Sequence, residues 1–346
     1  TATTDTANAL STDSPQVHDE AGGNLAFDWT HGNEDATNAI FGTAANVVKL
    51  KLVNNRLTVN SMETRAAIGD FNPNTGKATL HSCTQGGWLL KDQIAMHTLK
   101  IEPSLVRVLT PDVGGGFGMK TFYYPEQALC LWASRKFGRP VKWVGERGES
   151  FLSDTMGRDH VTEVELALDN EHQIIAMRVD TVANMGAYLS NFAPFIPTLA
   201  AIKVMPGVYD VKSLHVRVRG VFTHTVPIDA YRGAGRPESI YMIERLMDKA
   251  AQELNIDRVE MRRKNFISLD RMPFTTTAGE VYDTGDFERV IDTVIEKADW
   301  KSFEDRRAET KALGRRRGIG LCYLSLIHIS EPTRRYAISY AVFCLK

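Results

Sequence analysis

Cysteine is scarce in this chain and never clustered. The four residues Cys83, Cys130, Cys322 and Cys344 stand singly with no Cys-x-x-Cys spacing, so the chain offers neither an iron–sulfur nor a zinc set of grouped thiolates. Charge of one sign is lacking too. Lys and Arg number 41 against 42 Asp and Glu, a net charge of -1, which argues against a nucleic-acid partner and against a polybasic membrane patch. No uninterrupted apolar run is long enough to span a bilayer. An initial methionine is missing, and the polar stretch from Thr1 to Ser14 reads as a linker unable to form a packed element. The length suffices for one large or two medium cores.

What the chain does have is glycine, concentrated in two segments: Val113-Gly114-Gly115-Gly116-Phe117-Gly118-Met119-Lys120 and Ala230-Tyr231-Arg232-Gly233-Ala234-Gly235-Arg236-Pro237-Glu238. Without a Cβ the backbone approaches a ligand closely and turns its N–H groups towards oxygen atoms, so two such segments suggest two walls of one site. The first nearly matches the phosphate loop G-x-x-x-x-G-K-[ST]. Met119 occupies the last glycine position, however, and Phe122-Tyr123-Tyr124 stands where the helix should have begun. The dinucleotide pattern G-x-G-x-x-G also lacks its third glycine.

Strands and helices alternate irregularly, which reads as an α+β fold. Val106 to Asp112 reads as a short strand and its exit, leading into the first segment, and Pro125 to Ser134 as a helix with proline in its first turn. Val47 to Val53 alternates as a half-buried strand, and Ala78 to Thr84 is a β-rich run that delivers Gln85. Val161 to Leu168 and Gln173 to Asp180 flank Asp169-Asn170-Glu171 as a hairpin. Ile240, Ile243, Leu246, Met247, Ala250 and Leu254 have helical spacing, so a helix should start directly from the second segment, its N-terminal amides available to an anion. The plainer reading of Gly233 and Gly235 is close helix-to-strand packing.

The run Pro111 to Lys120, then Gly138-Arg139-Pro140-Val141-Lys142-Trp143, Gly157-Arg158-Asp159-His160 and Ala230 to Glu238 resemble, in that order, the molybdenum-binding large subunit of the xanthine dehydrogenase and aldehyde oxidase family. The closest look is to its carbon-monoxide-dehydrogenase large-chain-like branch, from about Pro15 to about Tyr323. The resemblance implies mixed sheets with packed helices and a molybdenum–molybdopterin cofactor, in this branch as the cytosine dinucleotide. By the same resemblance, Gln85 of Thr84-Gln85 lies beside a metal oxygen ligand. Gly115, Gly116, Phe117 and Gly118 present amides and a phenyl ring near the metal, and Arg232 and Gly233 contact the cofactor. A guanidinium fork suits an anionic, oxygen-rich ligand. No metal ligand is expected from the chain itself. FAD and 2Fe-2S centres are expected on a medium and a small partner subunit, within a dimer of heterotrimers in the cytoplasm, with the periplasm as the alternative location.

Three departures shape the expected activity. The branch's carbon monoxide oxidation uses a cysteine in the loop matching Ala230 to Arg236, where this chain has glycine, and copper(I) prefers thiolate. Thr121 stands where purine-oxidising members carry glutamate. The family's general-base glutamate lies in a Gly-Glu motif towards the C-terminus, which this chain is expected to stop short of. The expectation is therefore a fragment, inactive alone, of a hydroxylase for aldehydes or N-heteroaromatic carbons with water as oxygen source. The alternative is a non-catalytic cofactor-binding or assembly scaffold. The expected organisation is a linker at 1–20, a first cofactor-binding domain at 21–267, the start of a second at 268–323, and an adapter-derived artefactual tail at 324–346.

Other side chains admit plainer readings. Phe117, flanked by glycines, favours a ligand wall over a core aromatic, whereas Arg236 and Glu238 read as a structural pair holding the loop. Lys120 has no assignable role. Cys130 reads as a small buried hydrophobe, His81 and His160 as core or turn hydrogen-bonders, and Arg315 to Arg317 as a solvated run before a strand.

Overall fold

The computed structural model describes residues 2–323; the expected tail, 324–346 with Cys344, lies outside the described residues. The first half runs β1 (Leu25–Gly32), α1 (Glu34–Thr43), β2 (Asn46–Asn54), β3 (Ala66–Phe71), β4 (Ala78–Ser82), α2 (Gly87–Gln93) and β5 (Val106–Leu109). Then come α3 (Pro125–Phe137), β6 (Val141–Val144), α4 (Arg147–Ser153), β7 (His160–Leu168), β8 (Ile174–Gly186) and β9 (Leu214–Phe222). Helices α5 (Arg236–Glu253) and α6 (Arg258–Arg263), the short strands β10 (Phe274–Thr275) and β11 (Val281–Tyr282), and helices α7 (Phe287–Lys297) and α8 (Phe303–Ala312) complete it.

One sheet has the order β1-β9-β8-β7-β2, antiparallel except for the parallel pair β8–β9. The expected hairpin joins β7 to β8. Asp169 closes it by accepting the N–H groups of Glu171 (3.0 Å) and Gln173 (2.8 Å), the local bonding that makes Asp a turn residue. Alternation gives this sheet two unlike faces. Val48, Leu52, Val164 and Leu166 pack with Ile243, Leu246, Met247 and Ala250 of α5 in the main core. The opposite face carries ion pairs, among them Lys49–Glu165 (2.7 Å), Arg217–Asp28 (2.6 Å) and Arg219–Asp180 (2.7 Å).

The second sheet has the order β5-β4-β3-β6, with α3 laid across β3. The contact is closest at Gly69, where a Cβ would stand 2.5 Å from the Cys130 carbonyl carbon and the Leu131 nitrogen. Cys130 is buried there, as expected, and burial pushes its thiol pKa up.

The polar N-terminal stretch departs from expectation. It forms only turns, yet Thr3, Thr6 and Ala9 are buried, Thr6 donates to Asp159, and the Thr3 carbonyl accepts the His224 N–H at 2.8 Å. Hydrogen bonding to the body holds a segment too polar to contribute a core of its own. Across the boundary expected at 267/268, Ile291, Leu321 and Tyr323 join the same core cluster as α5. Arg315 to Arg317 are exposed, and no described strand follows them.

Replacing Gly69 by Ala forces a methyl into the α3 backbone and should cost about 1–3 kcal/mol in urea unfolding. Gly42→Ala in α1, where nothing lies within 4 Å of the new Cβ, should instead stabilise by about 0.5–1 kcal/mol.

Candidate functional site

Parallel pairing of β4 with β5 brings the carboxyl ends of both strands to one edge of the small sheet, so Gln85 and the first glycine segment emerge side by side. The Gly118 N–H donates to Gln85 Oε1 at 2.8 Å. Because a backbone N–H can only donate, this contact fixes the amide orientation and turns Nε2, a donor, the other way. The amide lies flat on Gly116, where a Cβ would be 2.3 Å from Oε1. The Gln85 N–H and the Thr84 hydroxyl both donate to the Lys120 carbonyl, at 3.0 and 2.9 Å. Phe117 has the left-handed φ of 53° and is 43% exposed.

The second segment meets the first directly. The Arg232 N–H donates to the Phe117 carbonyl at 2.8 Å, and a Cβ on Gly118 would stand 2.3 Å from the Ala230 carbonyl oxygen. The Arg232 side chain is exposed, its guanidinium carbon 5.8 Å from the Phe117 ring centre. Gly233, Ala234 and Gly235 follow with φ of 98°, 32° and 86°. Gly235 presses on the Ile196 carbonyl oxygen and Gly233 on the Pro237 ring, so close packing does demand these two glycines. Even so, no described residue accepts the N–H of Gly115, Gly116, Phe117, Gly233 or Gly235. Unpaired backbone amides grouped in this way are receptors for oxygen-rich ligands.

Sequence reasoning missed what holds these walls. Arg158, buried and left-handed at φ 67°, donates to the carbonyls of Tyr231 (2.7 Å) and Arg232 (2.9 Å) and to Glu238 Oε1 (3.1 Å). The expected Arg236–Glu238 pair does not form: Glu238 serves Arg158, and Arg236 reaches the carbonyls of Gly233 and Ala234 at 3.4 and 3.3 Å. Residues two apart at a helix start face different sides. Lys120 is buried and paired with Glu63 at 2.7 Å. Asp229, just before the second segment, accepts the N–H groups of Phe192 and Ala230, and burial pushes its carboxyl pKa above the usual range. The one sequence hint was the Gly-Arg-Asp-His turn, whose arginine carried no assigned role.

His81 is exposed, whereas His160 is fully buried, with no partner for its Nε2 among the described residues. Burial holds its pKa below the ordinary value of 6.5 and outweighs the pull of Glu238 and Asp159.

The sequence profile described as "Molybdopterin cofactor-binding domain" matches residues 17–266. The carbon monoxide dehydrogenase large chain of Hydrogenophaga pseudoflava is 33% identical over 322 residues, covering 89% of this chain and 40% of that protein. The nicotine 6-hydroxylase large subunit of Paenarthrobacter nicotinovorans is 30% identical, covering 81% of this chain and 34% of that protein. Among solved structures, quinoline 2-oxidoreductase from Pseudomonas putida 86 superposes with a TM-score of 0.87 at 30% identity, over 94% of this chain and 41% of that one. The chain thus spans about two fifths of the length of relatives it matches.

Arg158→Ala leaves Glu238 buried without its partner and should cost about 3–5 kcal/mol in denaturant unfolding. For His160, burial makes the folded chain protonate at lower pH than the unfolded one. Its share of stability is therefore intact above about pH 6.5 and lost as pH falls through the lowered folded value. His160→Gln should show a shallower loss of unfolding midpoint than wild type as pH falls below about 6.5.

Proposed function

Because the chain belongs to the molybdopterin cofactor-binding domain family, we propose that it forms part of the molybdenum-binding large subunit of a hydroxylase that oxidises an aldehyde or an N-heteroaromatic carbon with water as oxygen source. The observation that carries this reading is the junction of the two glycine segments: hydrogen-bonded to each other, they bring together unpaired N–H groups, the Gln85 amide and the exposed Arg232 side chain. These donors fit an anionic, oxygen-rich cofactor. Among the described residues no group of three or more His, Cys, Asp or Glu could hold a metal ion. When bound, the cofactor supplies two-electron redox chemistry at molybdenum.

The protein's part is recognition and orientation. Gln85 Nε2 would be free to donate to an oxygen of the cofactor, and the amides of Gly115, Gly116, Phe117 and Gly233 would hold its oxygens. Arg232 balances phosphate charge, and the Phe117 ring keeps water from one side. We assign the pterin to the cytosine dinucleotide form, with FAD and 2Fe-2S on medium and small partner subunits of a cytoplasmic dimer of heterotrimers; the relatives' names as large chains and large subunits support partners. No helix among the described residues is long and apolar enough to cross a membrane.

Three carboxylates beside the two segments are engaged: Glu63 with Lys120, Glu238 with Arg158, Asp229 with two amides. We propose no general base among the described residues. Two relatives named for quinoline and nicotine support a heteroaromatic substrate. Carbon monoxide oxidation with copper is disfavoured, since the second segment offers glycine and no thiolate.

Full-length protein co-expressed with its partners should carry near-stoichiometric molybdenum by mass spectrometry. Arg232→Ala and Gln85→Ala should each lower that content about tenfold, the effect of losing a charge-assisted or site-specific hydrogen bond. A folded complex without metal would remove the enzyme reading and leave a scaffold.

A further inference from the structure

The first glycine segment begins at Gly114 and ends at Lys120, and both ends converge on one oxygen atom. Glu63 Oε2 accepts the Gly114 N–H at 2.9 Å and the Lys120 ammonium at 2.7 Å. The backbone adds a third tie, from the Glu63 N–H to the Gly114 carbonyl at 3.0 Å. There is no slack in this contact, because a Cβ on Gly114 would stand 2.5 Å from Glu63 Cβ. Lys120 is 1% exposed and its ammonium has no other acceptor among the described residues. A buried cation with a single partner cannot keep its place once that partner is gone. The Lys120 carbonyl in turn receives the Gln85 N–H and the Thr84 hydroxyl, and Gly118 inside the loop holds the Gln85 side chain.

We propose that Glu63 is a positioning residue of the cleft: its carboxylate staples the two ends of the first glycine segment together and, through the Lys120 backbone, sets where Gln85 presents its amide. The proposal deepens the cofactor reading given above and rests on it for the role of Gln85. Partial burial works against ionisation, but Lys120 and Gly114 hold the Glu63 carboxyl below its ordinary range, so the staple is charged at neutral pH. A cavity lined by Glu63, Cys83, Asp112 and Lys142 adjoins the staple and opens it to solvent without exposing Lys120.

Hydrogen exchange by mass spectrometry on the full-length protein tests this, with Glu63→Ala and the double variant Glu63→Ala/Lys120→Met. The double variant removes the staple without stranding a buried charge, so it keeps the test open should the single variant not fold. Both should speed exchange about tenfold or more in peptides covering 114–120 and 84–86, with the β7–β8 hairpin unchanged. Their molybdenum and pterin contents should fall to the level of Gln85→Ala. Unaltered exchange at 114–120 in the double variant overturns the proposal. So does acceleration spread equally through β7 and β8, which marks a general loss of stability. Exchange is read whether or not cofactor is bound, so a wild type without molybdenum would remove the cofactor reading while the exchange data still decide whether Glu63 positions the segment.

Discussion

Everything at the cleft depends on two stretches of chain, remote in sequence, being held face to face by the hydrogen bond from Arg232 to the Phe117 carbonyl. One such bond contributes only about 1 kcal/mol net, too little to order two glycine-rich loops whose backbone entropy loss is the largest of any residue type. The work falls to buried charge on either side. Arg158 gathers two carbonyls and a carboxylate behind the second segment, while Lys120 and Glu63 close the first. The pairs are expensive to bury and more expensive to break, which suits loops that must hold one shape.

The Arg158 clamp rests on rigid support. Arg158 and Asp159 immediately precede β7, both left-handed, and Asp159 is bound by Arg56 (2.8 Å) and Asn184 (3.0 Å) as well as by the N-terminal Thr6. Asn184 lies on β8, the central strand of the large sheet, so the clamp is referenced to the best-buried part of the molecule. Local opening in such a region has a high free-energy cost.

Much of the fold was legible because it is written in periodicity. The alternation of β2 and β7 and the three-and-four spacing of α5 each report one buried face, and the structure buries those faces. The parallel pairing of β4 with β5, which puts Gln85 beside the glycines, has no local signature, and it was the resemblance that singled out Gln85. Glu63, Lys120 and Arg158 stayed hidden for the same reason: a long-range ion pair leaves no pattern in neighbouring residues. Proximity in sequence misled at Arg236 and Glu238, where helical geometry separates what the chain places side by side. At Thr3 and Thr6, polarity concealed burial, since hydrogen bonds rather than apolar area hold that segment.

Three of the four glycines of the first segment each face a different neighbour: Gly114 meets Glu63, Gly116 meets Gln85, and Gly118 meets Ala230. The loop is therefore locked to three separate regions, and a side chain gained at any of these positions collides with one of them. Single-step replacement of these three glycines by a larger residue is therefore closed, and tolerated change must fall at other positions. The connection between β8 and β9 has that freedom, carrying Tyr188, Leu189, Phe195 and Leu199 largely exposed. Neighbouring stretches of one polypeptide would then accept substitutions at different tempos.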